Sequence, residues 1–468
     1  MTDTDGKAVY TFGWDTSFGI PVPDANKAIV DKKSSPKKFS YGESSFSLTS
    51  DFGNWQICEG GSGKNIRFTI PLSNIVLTYT SNNNVVKCDS GTAVMEVNMH
   101  YVPHNETAAA DGVKSNPKAL IVKSTSDSES EPAAVLVSLE LSKDLGTVSE
   151  AIIQEGLKNW LNENLEEFNH IFSVVDLDRM IDQGKWGFVT PNYTSYAFLD
   201  GKTLDDSILG VLTMTGDRNG DDLANQVSND IIPEKSKAGF LVSQKRTLSD
   251  LVRPAIEQAY PGLNKDNFLL NDAGTKLYLK EGVSVNIQPV DHDGSTYQPV
   301  LKQLSVESDG QILTLQSYTE TEIVAGITAQ CTATNWYKIE LGTSDKGQTL
   351  KFIEAQPADI VHNIHQSEGS IITQIIIAIV AAVALIILAI VTSGAALIVG
   401  GLIAGLILGA DMIVPDVIKA VNTDTSPAID LLLINAVSPI KWTDSSDFKL
   451  NYASLNVSMQ LGGDPLFI

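Results

Sequence analysis

Residues 371–414 read IITQIIIAIVAAVALIILAIVTSGAALIVGGLIAGLILGADMIV, with no charged side chain before Asp411. A run of about 18 or more apolar residues is ordinarily a membrane span. The first half, Ile371–Val391, would make a helix of roughly 30 Å, the thickness of a bilayer core. Thr392, Ser393 and Gly394 form a weak point after it. Gly401, Gly405 and Gly409 then recur every four residues, the spacing that lets two membrane helices approach closely.

The flanks favour enclosure within protein instead. Between residues 353 and 420 the only Lys is Lys419 and there is no Arg, and no Phe, Trp or Tyr occurs from 353 to 441. A resident span carries aromatic belts and basic loops. Here Glu368, Asp411 and Asp416 flank the run, and anionic headgroups would repel them. Ile372, Ile376, Val380, Val383, Ile387 and Ile390 fall on one side at helical spacing, and Ala378, Ala382 and Ala389 on another. A bulky face and a small face suit packing against a sheet.

The rest of the chain is strand-rich. In Val94–Tyr101, Met95, Val97, Met99 and Tyr101 share one side while Glu96, Asn98 and His100 share the other, the alternation of a half-buried strand. Ala134–Leu141 repeats it, and strands resume over 268–352 and 448–461. A helix is expected from Thr147, where Glu150 completes capping-box spacing. Ile153, Leu157, Trp160, Leu161, Leu165, Phe168 and Phe172 extend it as an apolar stripe of about 25 residues. A second helix is expected near Thr247–Ile256, its length limited by Pro254. The order of elements predicts an α+β fold with antiparallel sheets. Two strand-rich units follow: 1–245 with a long helix near 147–172, and 246–468 with the very apolar helix near 370–414.

A net charge of −23 over 468 residues argues against nucleic acid and anionic surfaces as partners. Cys58, Cys88 and Cys331 are too few and too far apart for a disulfide framework or a zinc site. The N-terminus MTDTDGKAVY has no apolar signal region. The expectation is synthesis in a reducing cytoplasm, any release taking a route other than a cleaved signal.

Motifs for chemistry are weak. Gly60-Gly61-Ser62-Gly63-Lys64 departs from a phosphate loop at Cys58 and Asn65 and reads as a hairpin turn. Asp217, Asn219, Asp221 and Asp222 depart from a calcium loop at Asp222, where its glycine would stand, and lack its closing glutamate. Asp291-His292-Asp293-Gly294, the pair His362 and His365, and the pair His100 and His104 make no metal set. No nucleophile elbow is present. The expectation is a non-enzyme without metal or cofactor.

Four separated segments carry a family resemblance: Thr11–Ile29 (TFGWDTSFGIPVPDANKAI), Asn164–Leu177 (NLEEFNHIFSVVDL), Leu209–Thr215 (LGVLTMT) and Ile231–Ile256 (IIPEKSKAGFLVSQKRTLSDLVRPAI). Together they resemble the forty-seven-kilodalton protein family encoded beside clostridial neurotoxin genes, related to the OrfX proteins. The resemblance implies a TULIP-like fold, with strongly curved antiparallel sheets wrapped around long helices. It also implies a lipid- or membrane-linked accessory role in a toxin cluster. On that expectation Leu157, Trp160, Leu161, Phe168 and Phe172 line an apolar groove with Ile376, Val380, Val383 and Ile387. Lipid or phospholipid and other cluster proteins are then the expected partners. Two alternatives stand beside it: a membrane-inserting hairpin at 371–409, and a lipid-free scaffold of a toxin complex.

Overall fold

The computed structural model describes residues 6–31, 33, 35–103, 118–122, 133–164, 187–189, 191–292, 294–344, 347–363 and 448–465. These fall into two compact units. One is built from the described residues of 11–240 with 448–449 and 462–465, the other from those of 241–363 with 6–10 and 450–461.

The first unit holds β1 (Thr16–Pro21), β2 (Lys38–Glu43), β3 (Phe46–Phe52), β4 (Gln56–Ser62), β5 (Asn65–Tyr79), β6 (Val85–Pro103), β7 (Lys118–Val122), β8 (Ala134–Leu141), β9 (Pro191–Leu199), β10 (Ile208–Thr215) and β11 (Ala238–Val242). One sheet runs β2-β3-β5-β6-β7, with β4 on β5 and β8 on β6. The other places β11, β1, β10 and β9 side by side. The alternation expected in β6 is present: Met95 and Val97 are fully buried while Glu96 and Asn98 are half-buried. The glycine-rich run 60–64 forms the β4–β5 hairpin, with Ser62 opposite Asn65. Gly60 and Gly63 adopt positive φ there, a conformation that suits glycine.

Helix α1 covers Val22–Asp31 and α2 covers Thr147–Glu163. The N-cap of α2 is Gly146 rather than Thr147. Glu150 still reaches back to accept from the Leu145 amide at 3.2 Å.

The second unit is dominated by long antiparallel strands. β12 (Phe268–Leu270), β13 (Lys276–Leu279), β14 (Val285–Asn286), β15 (Val290–His292), β16 (Ser295–Tyr297), β17 (Pro299–Asp309), β18 (Ile312–Val324), β19 (Ile327–Ser344), β20 (Gly347–Asn363), β21 (Phe448–Asn456) and β22 (Ser458–Pro465) follow in order. The main sheet runs β12-β13-β17-β18-β19-β20, with β14 against β17. Before it, a helical run passes through Gln244–Arg246, a π segment Thr247–Val252 and Arg253–Ala259. Pro254 therefore does not end this helix. It removes one amide donor, and the chain accommodates the loss by widening into the π turn ahead of it.

The expected fold of sheets wrapped around long helices is corrected. Antiparallel sheet predominates among the described residues, and their longest helix is α2 with 17 residues. Helix α2 ends at Asn164, where φ is −122° and ψ 45°, and Leu165, Phe168 and Phe172 of the expected stripe lie outside the described residues. The Asn164 side-chain amide turns back to donate to the Trp160 carbonyl at 2.7 Å, a local bond that competes with helix continuation. The stretch 371–414 lies outside the described residues. Among the described residues no helix is long and apolar enough to cross a membrane.

Candidate ligand-binding site

The inner face of the second unit's sheet is set by period-two alternation. On β18 the buried positions are Leu313, Leu315, Ser317, Thr319, Thr321 and Ile323. On β19 they are Ala329, Cys331, Ala333, Asn335, Tyr337 and Ile339. Register pairs Leu313 with Tyr337, Leu315 with Asn335, Ser317 with Ala333, Thr319 with Cys331 and Thr321 with Ala329. The face thus changes along its length, from large apolar side chains to a lane of small and hydroxylated ones. Burial pushes the Cys331 thiol up to about 11, against a hydrogen bond with Thr319 that lowers it.

Polar groups at the Ser317 end of this lane, and beyond it beside Leu313 and Leu315, lack partners. Ser317 Oγ, Asn335 Nδ2, Tyr337 OH, Tyr260 OH and Glu354 Oε1 are buried and unpaired. Relative exposure is 3% for Ser317, 2% for Asn335, 1% for Tyr337 and 2% for Tyr260. Tyr337 stands directly opposite Glu354 across β19 and β20. Burial raises the Tyr337 hydroxyl above 10, and the Glu354 charge and Tyr260 add to it. Burial likewise raises the Glu354 carboxyl above 4.5, partly offset by a backbone hydrogen bond from Ala358. Each buried polar group without a partner costs about 1–3 kcal/mol. A row of them is the arrangement that a polar ligand group would complete.

The comparisons with known proteins fall on the same chain length. The family described as OrfX-like, Protein OrfX2/OrfX3/P47, matches residues 11–463. The chain belongs to the OrfX-like family. Its relatives include Protein OrfX3 of Paraclostridium bifermentans, 36% identical, covering 97% of this chain and 98% of that protein. Protein OrfX3 of Clostridium botulinum strain Kyoto, type A2, is 29% identical over 97% of this chain and 98% of its own length. Among solved structures, P47 from Clostridium botulinum A2 superposes with a TM-score of 0.69 at 16% identity, covering 98% of this chain and 99% of that one. That likeness is one of fold. The resemblance carried by the four sequence motifs is thereby borne out.

In this OrfX-like chain the residues expected to line a groove divide. Leu157, Trp160 and Leu161 are buried on α2, at 0%, 8% and 0% exposure. Trp160 packs in an aromatic cluster, its ring 5.3 Å from Phe52 and 5.8 Å from Phe39. Trp55 meets Phe52 edge-on at 5.3 Å. Phe168, Phe172, Ile376, Val380, Val383 and Ile387 lie outside the described residues.

The acidic loop near Asp217 is organised by neighbours in its own unit. Arg218 ion-pairs with Asp15, and Asp221 accepts from Tyr193 OH at 2.9 Å. Tyr193 in turn stacks on Trp14 at 5.9 Å. Asp291 and His292 lie in the β15–β16 hairpin, where Asp291 accepts from Thr296 Oγ1. No group of three or more metal-ligating side chains is present among the described residues.

Sequence reading passed over Ser317, Asn335 and Tyr337. Their signal was parity: Ser317 continues the buried alternation of Leu313 and Leu315, and Asn335 and Tyr337 continue that of Ala333 towards Ile339. Glu354 and Tyr260 carried no such mark.

Proposed function

We propose that this OrfX-like protein is a non-enzymatic accessory component of a bacterial toxin gene cluster that holds an amphipathic lipid. The observation that supports this reading is the buried lane of Ser317, Ala333, Thr319, Cys331 and Ala329, with unpaired polar groups at its Tyr337 end. Small side chains would present less bulk to an acyl chain than the leucines beside them, and the unpaired groups would offer a place for its head. Family membership adds proteins of the same cluster as candidate partners.

Native mass spectrometry of protein purified without detergent, followed by solvent extraction, tests the proposal. A stoichiometric extra mass that extracts as lipid is the expected result. Bare protein that also takes up no added amphiphile would overturn lipid carriage and leave a scaffold role. The uncharged run 371–410 supports a second reading, a membrane-inserting hairpin. Leakage from liposomes without retained lipid would favour that one.

A further inference from the structure

We infer that the polar end of this lane recognises a neutral head bearing two or more hydroxyl groups, such as a glycerol or a sugar. The inference rests on the lipid-holding reading above and specifies the head.

The unpaired atoms differ in kind. Asn335 Nδ2 is a donor, Glu354 Oε1 is an acceptor while ionised, and the hydroxyls of Tyr260, Tyr337 and Ser317 can do either. A head that only accepts, such as a phosphate or carboxylate, would satisfy Asn335 but meet the Glu354 carboxylate. Among the described residues no lysine or arginine acts on Tyr260, Tyr337 or Glu354 to offset that repulsion. A head that only donates, such as an ammonium, would suit Glu354 but leave the Asn335 amide unpaired. A hydroxyl both donates and accepts, so it can satisfy both neighbours.

Register sets the number of hydroxyls. Tyr337 and Glu354 form one cross-strand pair. Asn335 lies two residues along β19 on the same face, which is about 7 Å away. Ser317 is diagonal to Asn335, since its own partner is Ala333. One hydroxyl cannot reach both ends of such a row, whereas a diol or a sugar ring can.

Four amphiphiles with one oleyl-type chain isolate the head: monooleoylglycerol, oleyl alcohol, oleate and oleylamine. Binding to the full chain is measured for each. Monooleoylglycerol is expected to bind tightest, by about tenfold over the single alcohol. Tyr337→Phe and Asn335→Leu are each expected to weaken it about fivefold while leaving oleyl alcohol nearly unchanged. Neither substitution removes a bond from the atoms that lack partners, so circular dichroism should show both folded. Should Asn335→Leu fail to fold, Tyr337→Phe decides alone. Tightest binding of oleate or oleylamine would overturn the inference and leave lipid carriage standing. Unchanged monooleoylglycerol binding in a folded variant would place the head elsewhere and overturn it too. Binding of none of the four, with no co-purified lipid, would remove both.

Discussion

Asp15 and Arg218, some two hundred residues apart in sequence, form an ion pair at 2.5 Å in which the carboxylate is nearly fully buried. Asp15 also accepts from the Thr215 amide at 2.8 Å and from Thr215 Oγ1 at 3.0 Å. A buried carboxylate is tolerated because three donors replace its water. Arg218→Ala removes the one cation among these three donors and should cost about 3 kcal/mol. Asp15→Asn keeps the shape but not the charge. Denaturant unfolding of both single variants and the double should give a coupling of about 1–3 kcal/mol. Strict additivity would show that the pair contributes no mutual stabilisation.

Glu354 sets a pH dependence. Burial raises its carboxyl above the ordinary 4.5 in the folded protein. The folded state therefore holds its proton more tightly than the unfolded state does. Its contribution to stability is fully present below pH 4.5 and is lost as pH rises through the higher folded value. Glu354→Gln is expected to flatten that slope and to raise stability near pH 7 relative to the parent. Melting temperatures of both proteins from pH 4 to 8 check it, and parallel curves would contradict it.

The sequence made much of the local architecture legible, because strand parity and turn chemistry are local. Met95 and Val97 announced their buried side, and Gly60 to Gly63 announced a hairpin rather than a nucleotide loop. The end of α2 was not legible, since the apolar stripe continues past Asn164 and only one side-chain bond to Trp160 marks the stop. The meeting of Tyr337 and Glu354 was hidden for another reason. The β19–β20 register shifts between Thr334 and Trp336 and again between Trp336 and Tyr337. A one-residue slip would turn Glu354 to the opposite face, and no pattern in the strands specifies the bulges.

Trp160 gives a measure of the aromatic cluster. Its ring is within 6 Å of both Phe39 and Phe52, and α2 lies against β2 and β8. Trp160→Ala should destabilise by about 3–5 kcal/mol through lost contacts and a residual cavity. Trp160→Phe keeps much of the ring contact and should cost less than half as much. Thermal unfolding followed by far-ultraviolet circular dichroism separates the two, and equal losses would mean that the ring does not hold α2 in place.

Gly61 tests why the glycine-rich hairpin is glycine-rich. A Cβ there would lie 2.6 Å from the Asn65 carbonyl oxygen and 2.7 Å from Phe198 Cδ1. The neighbouring Gly63 exchanges backbone hydrogen bonds with Phe198, at 3.1 and 2.7 Å. The backbone oxygen cannot retreat without opening the hairpin, and the ring is tied to the same strand contact. Gly61→Ala is therefore expected to cost about 1–3 kcal/mol from overpacking. Gly282→Ala serves as the contrast. Its Cβ would meet nothing within 4 Å, but its φ is +80°, so strain alone should make it cost about 1 kcal/mol. Unfolding midpoints of the two variants rank close approach against backbone strain. A smaller loss for Gly61→Ala than for Gly282→Ala would mean that the β4–β5 hairpin yields freely, and that its glycines serve conformation rather than contact with Phe198.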